Sequence, residues 1–311
     1  MENTAHSSEG SLPKANAVTA LVSTATYLYM FVIFLCYWGF LLPSNVLSFF
    51  PYKFETSAVA PNISTAIVVD IALLAAFIIP HSVLARTSVK AKMKLPQSLE
   101  RSFFVLQTTV FMQLQMTYYQ ELPNIPPVWN VTEGSAIYCG ILAIFAFGFL
   151  FLFSATFALD HFWLFGLSQG FGVDINRMVG LNATESADGF VVRWHYSVCA
   201  HPIMTGMFLG LWATPHMTAG HLLFASVNTA WMLGAIKHLE EPQLIDIIGE
   251  RYDAYLKTTP RYIPSICPFT TGTPTSSSGA SSKGCPFSTG GSGGGGGYGS
   301  MNTKYESPLL E

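Results

Sequence analysis

Two adjacent carboxylates, Glu240 and Glu241, close a long apolar run in IKHLEEPQL (236–244), with His238 before them and Pro242 after. A carboxylate gains nothing at the C-terminal end of a helix, where the macrodipole is already negative. Ionisable groups beside apolar spans are costly and tend to mark function. Histidines extend the set: His81 follows Pro80, His161 follows Asp160, and His201 precedes Pro202. Two chemistries use such residues. Facing histidines ligate a haem, whereas carboxylates with aromatic faces hold a polar cation. A haem wants room for a macrocycle inside the apolar layer. Paired acids at its edge favour a cationic ligand entering from water. The five cysteines, Cys36, Cys139, Cys199, Cys267 and Cys285, show no CxxC pair or metal spacing, so no metal is expected.

The elements that must position these groups are membrane helices. Half of the 311 residues are hydrophobic and 11% are charged, where a soluble domain carries about a quarter charged. The net charge is −3 and no basic block occurs, so nucleic acid is excluded as a partner. Apolar runs predict spans at Val18–Leu42, Ile63–Leu84 (carrying Asp70 and Pro80), Phe103–Tyr119 (carrying Gln107, Gln113 and Gln115), Ser135–Leu159, Pro202–Thr214 and Gly220–Leu239. The expected fold is all-α: a polytopic membrane bundle of about six transmembrane helices, with a cytosolic C-terminal amphipathic helix and a disordered tail. A polar segment, 1–17, precedes the membrane domain, 18–267. Residues 268–311 are rich in Gly and Ser and are expected to be disordered. Within and beside that tail, CPFTTG (267–272) and CPFSTG (285–290) form a small repeat.

Orientation follows from charge. Of the 15 Lys and Arg residues, Lys53 alone falls on an outer loop, leaving 15 − 1 = 14 on inner segments. That bias places both termini in the cytosol. His81, Arg86, Asp160, His161, His201, His238, Glu240 and Glu241 then share the cytosolic ends, and His216 and His221 the outer side. Pro242 suits the first turn of a new helix, so a break is expected there, setting the glutamates at a helix N-terminus. Leu244, Ile245, Ile248, Tyr252 and Tyr255 would share one face of the helix that follows.

HPIMTGMFLGLWATPHMTAGHLLFA (201–225), EE (240–241) and GERYDAYLKTTPRYIP (249–264) resemble the C-terminal half of the isoprenylcysteine carboxyl methyltransferase-like membrane enzymes. HSVLAR (81–86), ERSFFVL (100–106) and SATFALDHFWLFGLSQ (154–169) narrow the likeness to the methanethiol S-methyltransferases, which also resemble the NnrU group. The likeness covers roughly 65–265 and leaves out the first helix. It implies S-adenosylmethionine as cofactor, held in a half spanning 195–265. His201, Pro202 and Gly206 would open the cofactor-facing helix, Glu240 and Glu241 would meet cationic parts of the cofactor, and Tyr252 and Tyr255 would cover it.

The implied reaction is S-methylation of methanethiol, a small thiol, to dimethyl sulfide at the cytosolic face of the bilayer. Other readings are a methyltransferase for a prenylcysteine carboxylate or a lipid amine, and a non-enzymatic or haem-binding membrane protein. Thiol methylation needs a base or a thiolate-stabilising group. His201, His161 and His81 are candidate bases, with Arg86 and Arg101 for the thiolate. The chain departs from the pattern at Ala200, where arginine is usual, at Met204, at Pro242 and in the insert 170–190.

Overall fold

The computed structural model describes residues 13–54, 58–122, 124–181 and 192–264. Residues 1–12, the stretch 182–190 of the insert and everything from 265, with the expected tail and its repeat, lie outside the described residues.

The described chain is mostly helical: α1 (Ala17–Leu41), α2 (Ile63–Leu84), α3 (Thr87–Met93), α4 (Gln97–Tyr118), α5 (Ala136–Leu159), α6 (His161–Leu164), α7 (Leu167–Phe171), α8 (Ile175–Met178), α9 (Pro202–Trp212), α10 (Ala219–Ala235), α11 (Glu241–Ile248) and α12 (Glu250–Thr258). Polar residues start α1, α2, α5 and α10. Asn16 forms a capping box with Thr19, and Asn62 Oδ1 accepts from Thr65 N at 2.8 Å. Ser135 and Thr218 cap α5 and α10. Each satisfies backbone N–H groups that a helix leaves unpaired at its start. Long basic side chains serve two C-terminal ends. Lys53 Nζ donates to Val46 O at 2.6 Å, just past α1. Arg193 donates to Phe157 O at 2.9 Å and Ala158 O at 3.1 Å in the last turn of α5. The one cation assigned to an outer loop is thus a buried helix-end donor.

Among the described residues, four helical stretches are long and apolar enough to cross a membrane: Ala17–Leu41, Ile63–Leu84, Ala136–Leu159 and Ala219–Ile248. They fall on four of the six spans expected from the sequence. α4 has 22 residues but carries Glu100, Arg101 and four glutamines. α9 has 11 residues, which at 1.5 Å per residue cover about half of a ~30 Å hydrocarbon layer.

The bundle has two unlike ends. At one, β1 (Ala58–Val59) pairs in parallel with β2 (Gln120–Glu121), and β3 (Trp129–Asn130) pairs antiparallel with β4 (His216–Met217). These ribbons fasten the connections beneath a packed aromatic group of Phe40, Phe54, Tyr119 and Phe224. The other end carries α3, α6, α7, α8, α11 and α12. Between the ends, α5 packs closely on α9. A Cβ at Gly206 would meet Gly148 O at 2.4 Å, and one at Gly148 would meet Leu209 Cβ at 2.6 Å. Small residues let membrane helices approach this far, where dispersion and not water exclusion holds them.

The expected break at Pro242 does not occur. α10 runs on through a π-turn, Ile236–Glu240, into α11. Proline has no N–H to give to His238 O, and the wider turn absorbs that lost bond without ending the helix. The chain breaks later, at Gly249 (φ 77, ψ −151), a conformation open essentially to glycine alone. The single amphipathic helix expected after Pro242 is therefore two. Leu244, Tyr252, Tyr255 and Leu256 share a small core with Ala200, and Ile248 packs against it. Ile245 is exposed.

Candidate active site

The π-turn brings two consecutive carboxylates onto one imidazole. His201 Nδ1 lies 3.4 Å from Glu240 Oε1, and Nε2 lies 3.1 Å from Glu241 Oε1. Neighbours on a regular helix point about 100° apart, so the ring fits between them and offers each a nitrogen. His201 precedes Pro202 at the start of α9, outside the helix, and its N–H donates to Arg261 O at 2.9 Å. Ala200 N–H likewise donates to Pro260 O at 2.8 Å. Residues 260–262 therefore run alongside 200–201. Thr205 Oγ1, 2.6 Å from Tyr262 O, ties the same segment to the first turn of α9.

Arg261 completes the chain of charges. Its Nε donates to Glu241 Oε1 at 2.7 Å and its Nη2 to Oε2 at 3.2 Å. Glu241 is buried between Arg261 and His201, whereas the Glu240 side chain is 43% exposed. Burial alone lowers the His201 pKa. Hydrogen bonds and charges from Glu240 and Glu241 more than reverse this, so it stands above its ordinary 6.5. The two carboxylates thus favour the protonated ring.

The tyrosines form the adjoining wall. Tyr252 and Tyr255 are buried, their rings 5.8 Å apart. Tyr255 donates to Tyr196 O at 2.6 Å, and burial pushes both phenols well above the usual range, so both stay neutral. Ala200 sits 4% exposed in this core. An arginine there would have no room, and the site's guanidinium comes from Arg261 instead.

The fold thus unites His201, Pro202, Glu240, Glu241, Tyr252 and Tyr255. Gly206 stands one turn on, against α5. The other sequence candidates occupy separate places. His161 is 1% exposed, stacked on Phe157 at 4.1 Å between centroids, with Tyr27 Oη 2.9 Å from Nε2 and Thr156 Oγ1 2.7 Å from Nδ1. Burial lowers its pKa to about 4. Asp160 caps α6 through Trp163 N–H at 3.0 Å. The same stretch docks on α1 and α4, where Gly170 abuts Ser23 and Gly166 (φ +86) abuts Ser102. His81 lies in α2 beside Thr108, and Arg86 is exposed at the N-terminus of α3. Arg101 Nε donates to Leu164 O at 2.6 Å. Sequence reasoning passed over Arg261, Tyr262 and Thr205. Arg261 falls inside GERYDAYLKTTPRYIP, and its side chain joins Glu241 only through a turn and a helix break that periodicity does not show.

No family model and no solved structure matches the chain. Curated relatives do. The chain is 38% identical over 209 residues to methanethiol S-methyltransferase 2 of Bradyrhizobium diazoefficiens, covering 66% of this chain and 76% of that protein. It is 33% identical over 253 residues to a methanethiol S-methyltransferase of Crocosphaera subtropica, covering 78% and 93%. That match is longer than residues 65–265, so the likeness extends beyond the bounds read from motifs. Nurim of Xenopus laevis is 28% identical over 170 residues, covering 53% of this chain and 58% of that protein.

Proposed function

The chain belongs to the methanethiol S-methyltransferase family and is a membrane methyltransferase, and from this we propose that it methylates methanethiol to dimethyl sulfide with S-adenosylmethionine, at the cytosolic face. The observation that carries the reading is the run Glu240–His201–Glu241–Arg261 beside Tyr252 and Tyr255. This set fits a polar cation. The half-exposed Glu240 carboxylate is the open member, and the buried tyrosines offer neutral aromatic faces. When bound, S-adenosylmethionine supplies an electrophilic methyl group on a sulfonium.

The chain's own residues hold that group in place. Glu240 takes its cationic portion. Glu241, clamped by Arg261 and His201, keeps the π-turn in register so that Glu240 faces outward. Pro202 and Gly206 set the start and depth of α9 against α5, which positions His201. Tyr252 and Tyr255 wall the site and exclude water. On the acceptor side stand the ends bearing His81, Arg86 and His161. A site made at the bundle end, within reach of the bilayer, suits a small volatile thiol that partitions into lipid.

The domain division is part of the same proposal: residues 18–267 act as the methyltransferase domain, with 195–265 as the cofactor half. The purified full-length protein, incubated with methanethiol and S-adenosylmethionine, is expected to release dimethyl sulfide into the headspace, measured by gas chromatography. Release no greater than from Glu240→Gln and Glu241→Gln enzymes would end this reading.

A further inference from the structure

One histidine at the same end of the bundle is held with a ring nitrogen to spare. His81 Nδ1 lies 3.1 Å from Thr108 Oγ1, and that hydroxyl donates to Phe104 O at 2.9 Å. A hydroxyl has one proton. Toward His81 it therefore accepts, so Nδ1 carries the ring hydrogen and Nε2 keeps its lone pair. Among the described residues no hydrogen bond takes up that lone pair.

The same bookkeeping of protons separates the other histidines. Thr156 Oγ1 donates to Phe153 O at 2.6 Å and so accepts from His161 Nδ1, while Tyr27 occupies Nε2. Both nitrogens of His201 face carboxylates and carry hydrogen. Ser154 Oγ donates to Leu150 O at 2.7 Å and accepts from His195 Nε2, leaving a His195 Nδ1 that is itself buried and closed off.

His81 differs in its surroundings as well. Phe77 stacks on the ring at 5.4 Å, Phe104 lies at 5.0 Å, and Trp231 meets it edge-on at 5.4 Å. Trp231 is oriented by its N–H to Ser82 Oγ at 3.0 Å. Phe77, His81, Phe104, Thr108 and Trp231 are each part-buried. Arg101 lies over the Phe104 ring at 5.2 Å and adds positive potential to the wall.

We propose that the box of Phe77, Phe104 and Trp231 around His81 is the acceptor site, taking a small neutral thiol whose proton goes to His81 Nε2. Three aromatic faces suit a methyl group and a polarisable sulfur, and the lone pair meets the S–H. The S–H bond breaks, the proton passes to Nε2, and the electron pair stays on sulfur as the thiolate to be methylated. The imidazolium so formed keeps its Nδ1–H on Thr108.

This inference rests on the functional reading above, and its test separates the two. Full-length enzyme in lipid nanodiscs is assayed with methanethiol and with an electron-poor alkanethiol already ionised at the assay pH. His81→Gln is expected to lower turnover of methanethiol by about 100-fold, on the scale of general-base catalysis, and of the ionised thiol by less than about 5-fold. Binding of S-adenosylmethionine by calorimetry should not change. Independently of activity, ¹⁵N-histidine NMR of the resting enzyme should show a neutral Nδ1–H ring that disappears in His81→Gln and loses its tautomer preference in Thr108→Val. Thr108→Ser should retain it. Equal losses on both thiols, no loss on either, or an Nε2–H tautomer would overturn the assignment while leaving the methyltransferase reading intact. If His81→Gln does not fold, Thr108→Val carries the same two-thiol comparison. No product from the wild-type enzyme with either thiol overturns both.

Discussion

Arg261 grips Glu241 with two nitrogens, Nε at 2.7 Å and Nη2 at 3.2 Å from the two carboxylate oxygens. The bidentate geometry joins the segment after α12 to the first residue of α11, and His201 contacts the same carboxylate from the start of α9. Removing either partner leaves a buried carboxylate or a dangling guanidinium. Arg261 is 48% exposed, so solvent screens part of the pair. A double-mutant cycle of Arg261→Ala and Glu241→Gln is expected to give a coupling of about 1–3 kcal/mol in unfolding free energy. Each single variant should weaken S-adenosylmethionine binding by a similar amount. Additive effects in thermal and calorimetric measurements would show that the contact does not hold the site.

His201 sets a pH dependence whose sign follows from its raised pKa. The folded state binds this proton more tightly than the unfolded chain does, so the stabilisation is complete below the ordinary value and is lost as pH rises through the raised one. The difference in melting temperature between the wild type and His201→Asn is expected to be largest below about pH 6 and to shrink as the pH becomes alkaline. A difference that grows with pH would show that the ring is neutral in the native site.

Gly206 tests the close approach of α5 and α9. An added side chain would meet the Gly148 carbonyl and Leu152, so Gly206→Val should destabilise by about 1–3 kcal/mol or more through overpacking. Gly234, where an added Cβ meets nothing within 4 Å, should accept alanine at no cost. Comparable melting temperatures for Gly206→Val and Gly234→Ala would refute the packing assignment.

Gly249 tests the corner between α11 and α12. At φ 77 and ψ −151, Gly249→Ala should cost about 1–3 kcal/mol and displace Tyr252 and Tyr255. Loss of cofactor affinity with the fold retained by circular dichroism is the expected pattern. Unchanged affinity would separate the tyrosine wall from the site.

Topology is testable in sealed vesicles. With 14 of 15 Lys and Arg residues on the proposed inner segments, tags at residues 1 and 311 should resist protease added outside. Digestion of either tag would reverse the orientation. Truncation after Cys267 is expected to leave dimethyl sulfide release unchanged, because the segment beyond it is poor in apolar pattern.

The residues alone determined the helical membrane character and the places of its long elements. The run 63–84 coincides with α2 to the residue, and those at 18–42 and 135–159 differ from α1 and α5 by single residues. Apolar length and capping side chains act within one segment, so they are readable there. Pairing of Glu240 and Glu241 with the His-Pro start of α9 was also legible, through motif likeness. The tertiary structure decided the rest. Pro242 looked like a break, yet a π-turn carries the helix past it to Gly249, because the wider turn does not need the N–H that proline lacks. The close approach of Gly206 to Gly148 and Leu152 on α5 was likewise decided by packing between helices. The partners of Glu241 and of His81 depend on distances between groups remote in sequence: Arg261 lies beyond a helix corner, and Thr108 stands on another helix. No periodicity along the chain encodes those distances.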